Sequence, residues 1–220
     1  MNPIKPSPKT EILPIIMLLI IGAGSIYFYQ HFPDSVPTHW NIAGEVDGWS
    51  SRPVAALAIP GMILGFYLMF LVMPYLDPRK ERYLQFAKVY HIFKNLFMFL
   101  FVVIYFAAGF SALGYPVPVG VIIPIMIGLL FIVIGNYFGK IKSNWFFGVK
   151  TPWTLSSEEV WNKTHRFSGK VFILSGLIMI AEPFLPVVWR MPAFILMLVL
   201  ILFSSFIYSF ILFQREKRNK

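Results

Sequence analysis

Residues 119–138 read VGVIIPIMIGLLFIVIGNYF, a run of 20 residues without an acidic or basic side chain. A helix of that length rises about 30 Å, which matches the hydrocarbon thickness of a bilayer. Five further apolar runs have similar character, at about 12–29, 54–76, 95–113, 171 onward and 192–213, with residue 86 as the earliest start of the third. The sequence therefore predicts an all-α integral membrane protein with six transmembrane helices.

The composition agrees with a chain that lies in lipid. Of the 220 residues, 57% are hydrophobic and 13% charged, whereas soluble domains carry about 25% charged residues. The chain has no cysteine, which excludes disulfides, thiol catalysis and thiolate metal sites. The lipid bilayer is the predicted surrounding, and neither a cofactor nor a metal is predicted.

The basic residues predict the orientation. The formal net charge is +9, and 17 of the 19 Lys and Arg lie in segments 1–11, 77–94, 139–170 and 214–220. Only Arg52 and Arg190 lie in the segments on the opposite side. Because cytoplasmic loops carry excess Lys and Arg, both termini are predicted in the cytoplasm. This bias explains the charge without direct contact to nucleic acid; a site for anionic lipid or an acidic partner is the alternative.

The first apolar run follows Lys5 and Lys9, as the core of a secretory signal peptide would. It is longer than the usual core of about 7–15 residues, and no clear A-x-A cleavage site follows it. We therefore interpret it as an uncleaved first helix.

The polar segment at residues 31–53, HFPDSVPTHWNIAGEVDGWSSRP, lies on the predicted outer side. Its prolines and glycines favour turns over a helix. We predict a surface that contacts an external ligand, with interfacial anchoring of the tryptophans as the alternative. A metal site is disfavoured because the His and acidic spacing matches no metal-binding pattern. The predicted contact residues are Asp34, His39, Trp40, Asn41, Glu45, Asp47 and Trp49.

The second polar segment lies on the predicted cytoplasmic side, where residues 145–170 read WFFGVKTPWTLSSEEVWNKTHRFSGK. Thr151 precedes a proline and is expected to be extended. Ser156 and Glu159 match a capping box, which predicts a helix that begins there and runs into the fifth membrane segment. One face of that helix carries Trp161, His165, Ser168 and Phe172.

We interpret His165 as a hydrogen-bonding partner of the neighbouring loop. Its candidate partners are Asn144, Thr151, Thr154 and the backbone before Trp153. The alternative is a general base near Glu158 or Glu159, but the chain has no nucleophile elbow, H-E-x-x-H motif or phosphate-binding loop. We therefore predict that the protein is not an enzyme.

Glu182 follows only 11 clearly apolar residues of the fifth run, which span about 16 Å. We place Glu182 at the outer interface, with 184–190 as a surface turn. The alternative places the carboxyl group within the membrane, where it would line a transport path with Asn95 and Asn136.

Residues 140–170, KIKSNWFFGVKTPWTLSSEEVWNKTHRFSGK, resemble the signature of the SdpI family. These bacterial membrane proteins are named for immunity to a secreted antibacterial peptide toxin. Lys150 stands where many members have arginine, so the bidentate guanidinium fork is missing here. The resemblance rests on Asn144, Gly148, Lys150, Thr151, Pro152, Trp153, Thr154, Trp161, Thr164, His165 and Arg166.

Residues 36–49 are similar to an uncharacterised domain often found ahead of that signature, through Pro37, His39, Trp40, Asn41, Gly44, Asp47 and Trp49. We predict two units: a two-helix hairpin at 1–78 with the extracellular loop 31–53, and a four-helix unit at 79–220 with the signature at 139–170. The resemblance implies the bacterial plasma membrane, an extracellular peptide toxin as ligand and a cytoplasmic regulator as a candidate partner. It implies no catalytic mechanism. A small transporter or exporter is the second functional class, and a membrane enzyme is the third.

Overall fold

The computed structural model describes residues 4–219, and in this range six helices are long and apolar enough to cross a membrane. Two 3-10 turns lie at Lys80–Phe86 and Glu182–Phe184, and a π-helical segment at Leu200–Ser204 lies within the last of the six helices. The elements are α1 Pro8–His31, β1 Ser35–Trp40, β2 Val46–Ser51, α2 Arg52–Leu76, α3 Ala87–Ala112, α4 Val119–Phe138, α5 Pro152–Ser156, α6 Glu158–Ala181, α7 Val187–Val199 and α8 Ser205–Arg218.

The predicted boundaries are confirmed for α4 and need correction after Pro186. The third helix begins at Ala87, one residue after its earliest predicted start, and the buried Lys94 within it pairs with Glu11. The predicted surface turn at 184–190 is wrong beyond Pro186, since a helix starts at Val187 and includes Arg190.

The segment between α1 and α2 folds into an antiparallel β-hairpin, where the sequence had predicted turns alone. Ser35 pairs with Ser51 and Trp40 with Val46. The Asn41 side-chain oxygen accepts hydrogen bonds from the amides of Ala43 and Glu45, 2.9 and 3.0 Å away, which closes the turn. Irregular pairing at His39 hid the strands from a simple alternation of apolar and polar residues.

Two buried clusters mark opposite ends of the bundle. Val36 of the hairpin packs with Phe28 and Tyr105 of the helices, and we call this part the hairpin end. Tyr83, Phe138 and Trp161 pack beside residues 139–157, and we call that part the signature end. Each cluster joins side chains from several helices, and α7 and α8 pack against α6, so the six helices form one packed bundle.

Helices α4 and α6 approach so closely that paired glycines meet backbone to backbone. A Cβ built on Gly135 would lie 2.6 Å from the Gly169 carbonyl oxygen, and one on Gly169 would lie 2.6 Å from that of Gly135. Gly128 and Gly176 make the same reciprocal contact seven residues away. Small residues let membrane helices pack in this way, so this pair forms the centre of the bundle.

Candidate functional site

The signature segment begins with a loop that Asn144 holds from inside. The fully buried Asn144 amide donates to the carbonyls of Lys142 and Phe147, and its oxygen accepts from the amides of Phe146 and Phe147. These four hydrogen bonds replace the regular backbone pairing that an irregular segment lacks. Asn144 therefore has a structural role in the loop.

His165 attaches this loop to α6. Its Nε2 accepts a hydrogen bond from the Val149 amide at 3.1 Å, and its Nδ1 donates to the Trp161 carbonyl at 2.8 Å. The ring is fully buried and stacks on Trp161, with 4.0 Å between centroids. Gly148, at φ +103°, leaves the space for this ring, because a Cβ there would overlap His165 Nε2. The loop partner is thus the Val149 amide, which belongs to the predicted backbone before Trp153, and not a side chain of Asn144, Thr151 or Thr154.

Trp161 holds the preceding turn through its indole, which donates to the Ile141 carbonyl at 2.8 Å. Trp153 packs against Phe206 and Phe210 of α8, with centroids 4.9 and 5.0 Å apart. Ser168 donates to Ser205 at 2.8 Å and adds a polar link between α6 and α8. The signature segment is therefore packed against α8.

Thr151 and Thr154 close the short helix α5. Thr151 is extended, as expected before proline, and its hydroxyl accepts from the Thr154 amide at 3.1 Å. The predicted start of α6 is one residue early: the N-cap is Ser157, whose hydroxyl accepts from the Val160 amide, whereas Ser156 bonds back to Pro152. The displacement arises because α5 already uses Ser156 as its last residue.

The remaining signature residues divide by exposure. Lys150, Pro152 and Arg166 are exposed, and the Lys150 ammonium donates to the Phe146 carbonyl at 3.1 Å. Thr164 is fully buried, and its hydroxyl has no hydrogen-bond partner among the described residues. Most of the signature therefore acts within the fold, and its exposed part is basic.

Sequence reasoning missed the buried Asp77, which holds the signature loop from the opposite side. Its carboxylate accepts hydrogen bonds from the Trp145 amide at 2.9 Å and the Tyr83 hydroxyl at 3.0 Å. Arg79 donates to Ser143 and to the Leu155 carbonyl. The available signal was the sequence Asp77-Pro78-Arg79 directly after an apolar run. The sequence did not show its partners in the signature loop, because they lie more than 60 residues away.

A second missed feature is a buried ion pair between α1 and α3. The Lys94 ammonium lies 2.7 and 2.6 Å from the two Glu11 carboxylate oxygens. The side chains are 1% and 9% exposed. The Lys94 ammonium also lies 5.7 Å from the centre of the Tyr67 ring on α2. The first three helices are thus joined by a charge contact as well as by apolar packing.

At the hairpin end a cavity of about 460 Å³ opens between the hairpin and five helices. Residues 38–42 form one wall, with α3 and α4 beside them. Ile59 from α2, Met179 from α6, Glu182 directly after α6 and Phe194 from α7 complete the lining. This volume falls in the range of about 300–1,000 Å³ usual for small-ligand pockets.

The hairpin tip is tied to both neighbouring helices. Gly44, at φ +85°, packs directly on Gly120 at the start of α4, where a Cβ would lie 2.8 Å from the Gly44 Cα. The Arg190 guanidinium donates to the Ile42 carbonyl at 3.4 Å and to the carbonyls of Pro183 and Leu185. The cavity therefore has a defined roof.

The structure separates the predicted ligand-contact residues into two groups. His39, Trp40 and Asn41 line the cavity. Asp34 instead pairs with Arg52 at 2.8 Å, and Trp49 is 58% exposed. The remaining two, Asp47 and Glu45, bond within the hairpin to His39 and Asn41 respectively. Within residues 4–219 no group of three or more His, Asp or Glu side chains is placed to hold a metal.

Glu182 is 2% exposed and lies at the end of α6, in the wall of the cavity. Asn136 is exposed and donates to the Ile132 carbonyl of its own helix. Glu158 and Glu159 pair with Arg82 and Lys163. Among the described residues, Asn136 and Glu182 therefore share no hydrogen bond, and Glu158 and Glu159 bond to basic side chains and not to His165.

This arrangement defines a multi-pass helical membrane protein with a ligand-sized cavity at one end and a folded signature at the other. Residues 140–211 match the SdpI/YfhL protein family, and residues 15–64 match a domain of unknown function, DUF1648. The chain thus carries an SdpI/YfhL segment behind a DUF1648 segment, which confirms the resemblance seen in the sequence. No curated protein and no solved structure matches the chain.

His165→Ala is expected to lower the free energy of unfolding by about 2–4 kcal/mol, because it removes a buried ring and leaves the Val149 amide without its acceptor. Denaturant titration of the purified protein measures this change. Arg166→Ala is the matched control. Arg166 is the next residue on α6 and is exposed, so its truncation should leave the free energy of unfolding near that of the wild type. An equal, small effect of both changes would show that the His165 contacts do not stabilise the signature.

Proposed function

We propose that this protein is a non-enzymatic immunity or sensing protein of the bacterial plasma membrane, which confers resistance to an extracellular antibacterial peptide toxin. The SdpI/YfhL match supports the immunity class. The cavity supports the site, because residues of both matched segments line it: the hairpin and Ile59 from one, Met179, Glu182 and Phe194 from the other. The hairpin end faces outward in this proposal, as the distribution of Lys and Arg predicts.

The toxin places part of its chain in the cavity, in contact with His39, Trp40 and Asn41. Helix α6 provides the connection to the other end of the bundle. It is continuous from the buried Trp161 and His165 to Met179 in the cavity wall. A toxin bound in the cavity would therefore act through α6 on the signature segment. There the exposed Lys150 and Arg166 present a basic surface to a cytoplasmic regulator.

A transporter has less support, because Asn136 bonds to its own helix and does not meet Glu182. An enzyme has less still, because both nitrogens of His165 hold structural hydrogen bonds. The proposed class therefore rests on the cavity shared by the two matched segments.

Filling the cavity tests the proposal. Ala108 lies in its wall, and Ala108→Phe is expected to make cells as sensitive to toxin as cells that lack the protein. Ala58 is exposed on α2, so Ala58→Phe adds the same ring outside the cavity and should protect like the wild type. The measurement is survival of a toxin-sensitive Gram-positive host given the secreted peptide toxin for which the SdpI family is named, at matched membrane levels of each variant. Full protection by Ala108→Phe would remove the cavity from the function, and no protection by the wild type would overturn immunity to this toxin.

A further inference from the structure

Among the described residues the carboxylate of Glu182 has no partner, although the residue is 2% exposed. Across residues 4–219, no hydrogen-bond donor contacts it and no Lys, Arg or His nitrogen lies within 4.0 Å of it. A buried carboxylate without a counter-charge is costly, particularly at membrane depth, and such groups mark functional sites. Since Glu182 also lines the cavity, the missing partner has space to bind there.

Arg190 is the basic residue that acts electrostatically on Glu182, but its guanidinium is directed elsewhere. It donates to the Pro183 carbonyl at 2.9 Å, to that of Leu185 at 3.1 Å and to that of Ile42 at 3.4 Å. These bonds fix the turn after α6 and the roof of the cavity. Arg190 therefore builds the site and leaves the Glu182 carboxylate free for a ligand.

The rest of the wall is largely apolar. Ile104, Ile123 and Ile127 face the space together with Met179 and Phe194. An occupant that satisfies this wall needs an apolar body, and one that satisfies Glu182 needs a cation at one end. A volume of about 460 Å³ holds a few side chains but not a folded toxin.

We infer that the cavity binds a primary ammonium group on an apolar chain, with Glu182 as its counter-charge. A lysine side chain fits this description, with its compact ammonium at the end of a four-carbon stem. The bearer of the amine is an extracellular peptide, and this part of the inference rests on the proposed function. A charge-assisted hydrogen bond to Glu182 would give the cavity its selectivity.

Two probes of equal chain length test the inference without the toxin. Binding of hexylamine and of its uncharged analogue 1-hexanol is measured by calorimetry on the protein in phosphatidylcholine nanodiscs. The wild type should bind hexylamine at least about tenfold more tightly, as expected for a hydrogen bond to a charged group. Equal affinities would overturn the inference, and this comparison needs no variant.

Glu182→Gln is expected to abolish the preference for hexylamine and to leave hexanol binding unchanged. Glu81→Gln makes the same chemical change at an exposed site outside the cavity and should keep the preference. A preference that survives in Glu182→Gln would show that the amine binds elsewhere, and would overturn the role of Glu182.

A second lipid composition separates peptide from lipid as the source of the amine. Hexylamine affinity should be the same when phosphatidylethanolamine replaces phosphatidylcholine in the nanodiscs. A loss of affinity there would show that the lipid amine occupies the cavity, and would overturn a peptide as the occupant. Survival assays report separately on immunity: selective amine binding without protection would reject the proposed function and keep the amine site.

Discussion

Lys94→Met is expected to lower the free energy of unfolding by about 3–5 kcal/mol, because it leaves the Glu11 carboxylate buried without its counter-charge. The Lys94 ammonium lies 2.6 Å from one Glu11 oxygen and 2.7 Å from the other. With 1% and 9% of their side chains exposed, water replaces neither partner. The measurement is unfolding of the purified protein in bicelles by titration with a denaturing detergent.

The double variant Glu11→Gln/Lys94→Met should recover most of this loss, because neither charge then remains buried. Such recovery is typical of buried ion pairs, which often contribute little over neutral residues of similar size. Lys163→Met is the matched control, since Lys163 pairs with Glu159 at 2.5 Å on an exposed helix face. The free energy of unfolding of Lys163→Met should stay near that of the wild type. If Lys94→Met were as mild as Lys163→Met, the pair would be hydrated in the membrane-embedded protein.

The recovery would also distinguish a role in function from one in folding. If the double variant folds normally and still protects cells, the ion pair has only a structural role between α1 and α3. A double variant that folds normally and fails to protect would give the pair a functional role that neutral residues cannot replace.

Gly135→Ala is expected to lower the free energy of unfolding by about 1–3 kcal/mol, although alanine favours a helix more than glycine does. The new methyl group would lie 2.6 Å from the Gly169 carbonyl oxygen, so α4 and α6 must separate. For a chain of this size each kcal/mol lowers the melting temperature by roughly 2–4 °C. Thermal unfolding in detergent, followed by circular dichroism, measures the effect.

Gly65→Ala in α2 is expected to raise the free energy of unfolding, the opposite of Gly135→Ala. Among the described residues, nothing outside the neighbouring residues and the local helix backbone lies within 4 Å of a Cβ at Gly65, so the change should stabilise the helix by about 0.5–1 kcal/mol. Adding Gly169→Ala to Gly135→Ala should cost less than the sum of the single changes, since the first substitution already separates the helices. Equal effects at Gly135 and Gly65 would mean that the close approach of α4 and α6 is absent in the folded protein.

These contacts change how the signature is understood. Asn144, Gly148 and His165 face into the protein, where they hold a loop against α6. Of the eleven signature residues, the exposed Lys150, Pro152 and Arg166 are the ones that a partner can reach. A loss of protection in His165→Ala or Trp153→Ala, with membrane insertion intact, is therefore expected to reflect a disordered segment.

The amino-acid sequence by itself determined the six apolar helices and the two polar segments between them. These are local properties: a helix that crosses a membrane needs about 20 apolar residues, and each run carries that information alone. The family-typical residues were equally readable, since their spacing lies within one stretch of 31 residues. The continuity of α6 followed in part, because the sequence has no helix breaker between Glu158 and Gly169.

Only the tertiary structure decided which distant residues meet. Glu11 and Lys94 were each readable as charges near a helix end, and nothing local paired them across 83 positions. Asp77 reaches Trp145, and Gly135 faces Gly169, through the register of separate helices. The cavity likewise needs the hairpin, α4 and α6 at once, so its wall and the unpartnered Glu182 appear only after packing. Local hydrophobicity sets the length of each helix, but long-range packing decides which helices are neighbours. The candidate site is formed by residues from several neighbouring elements, so it appears only in the tertiary structure.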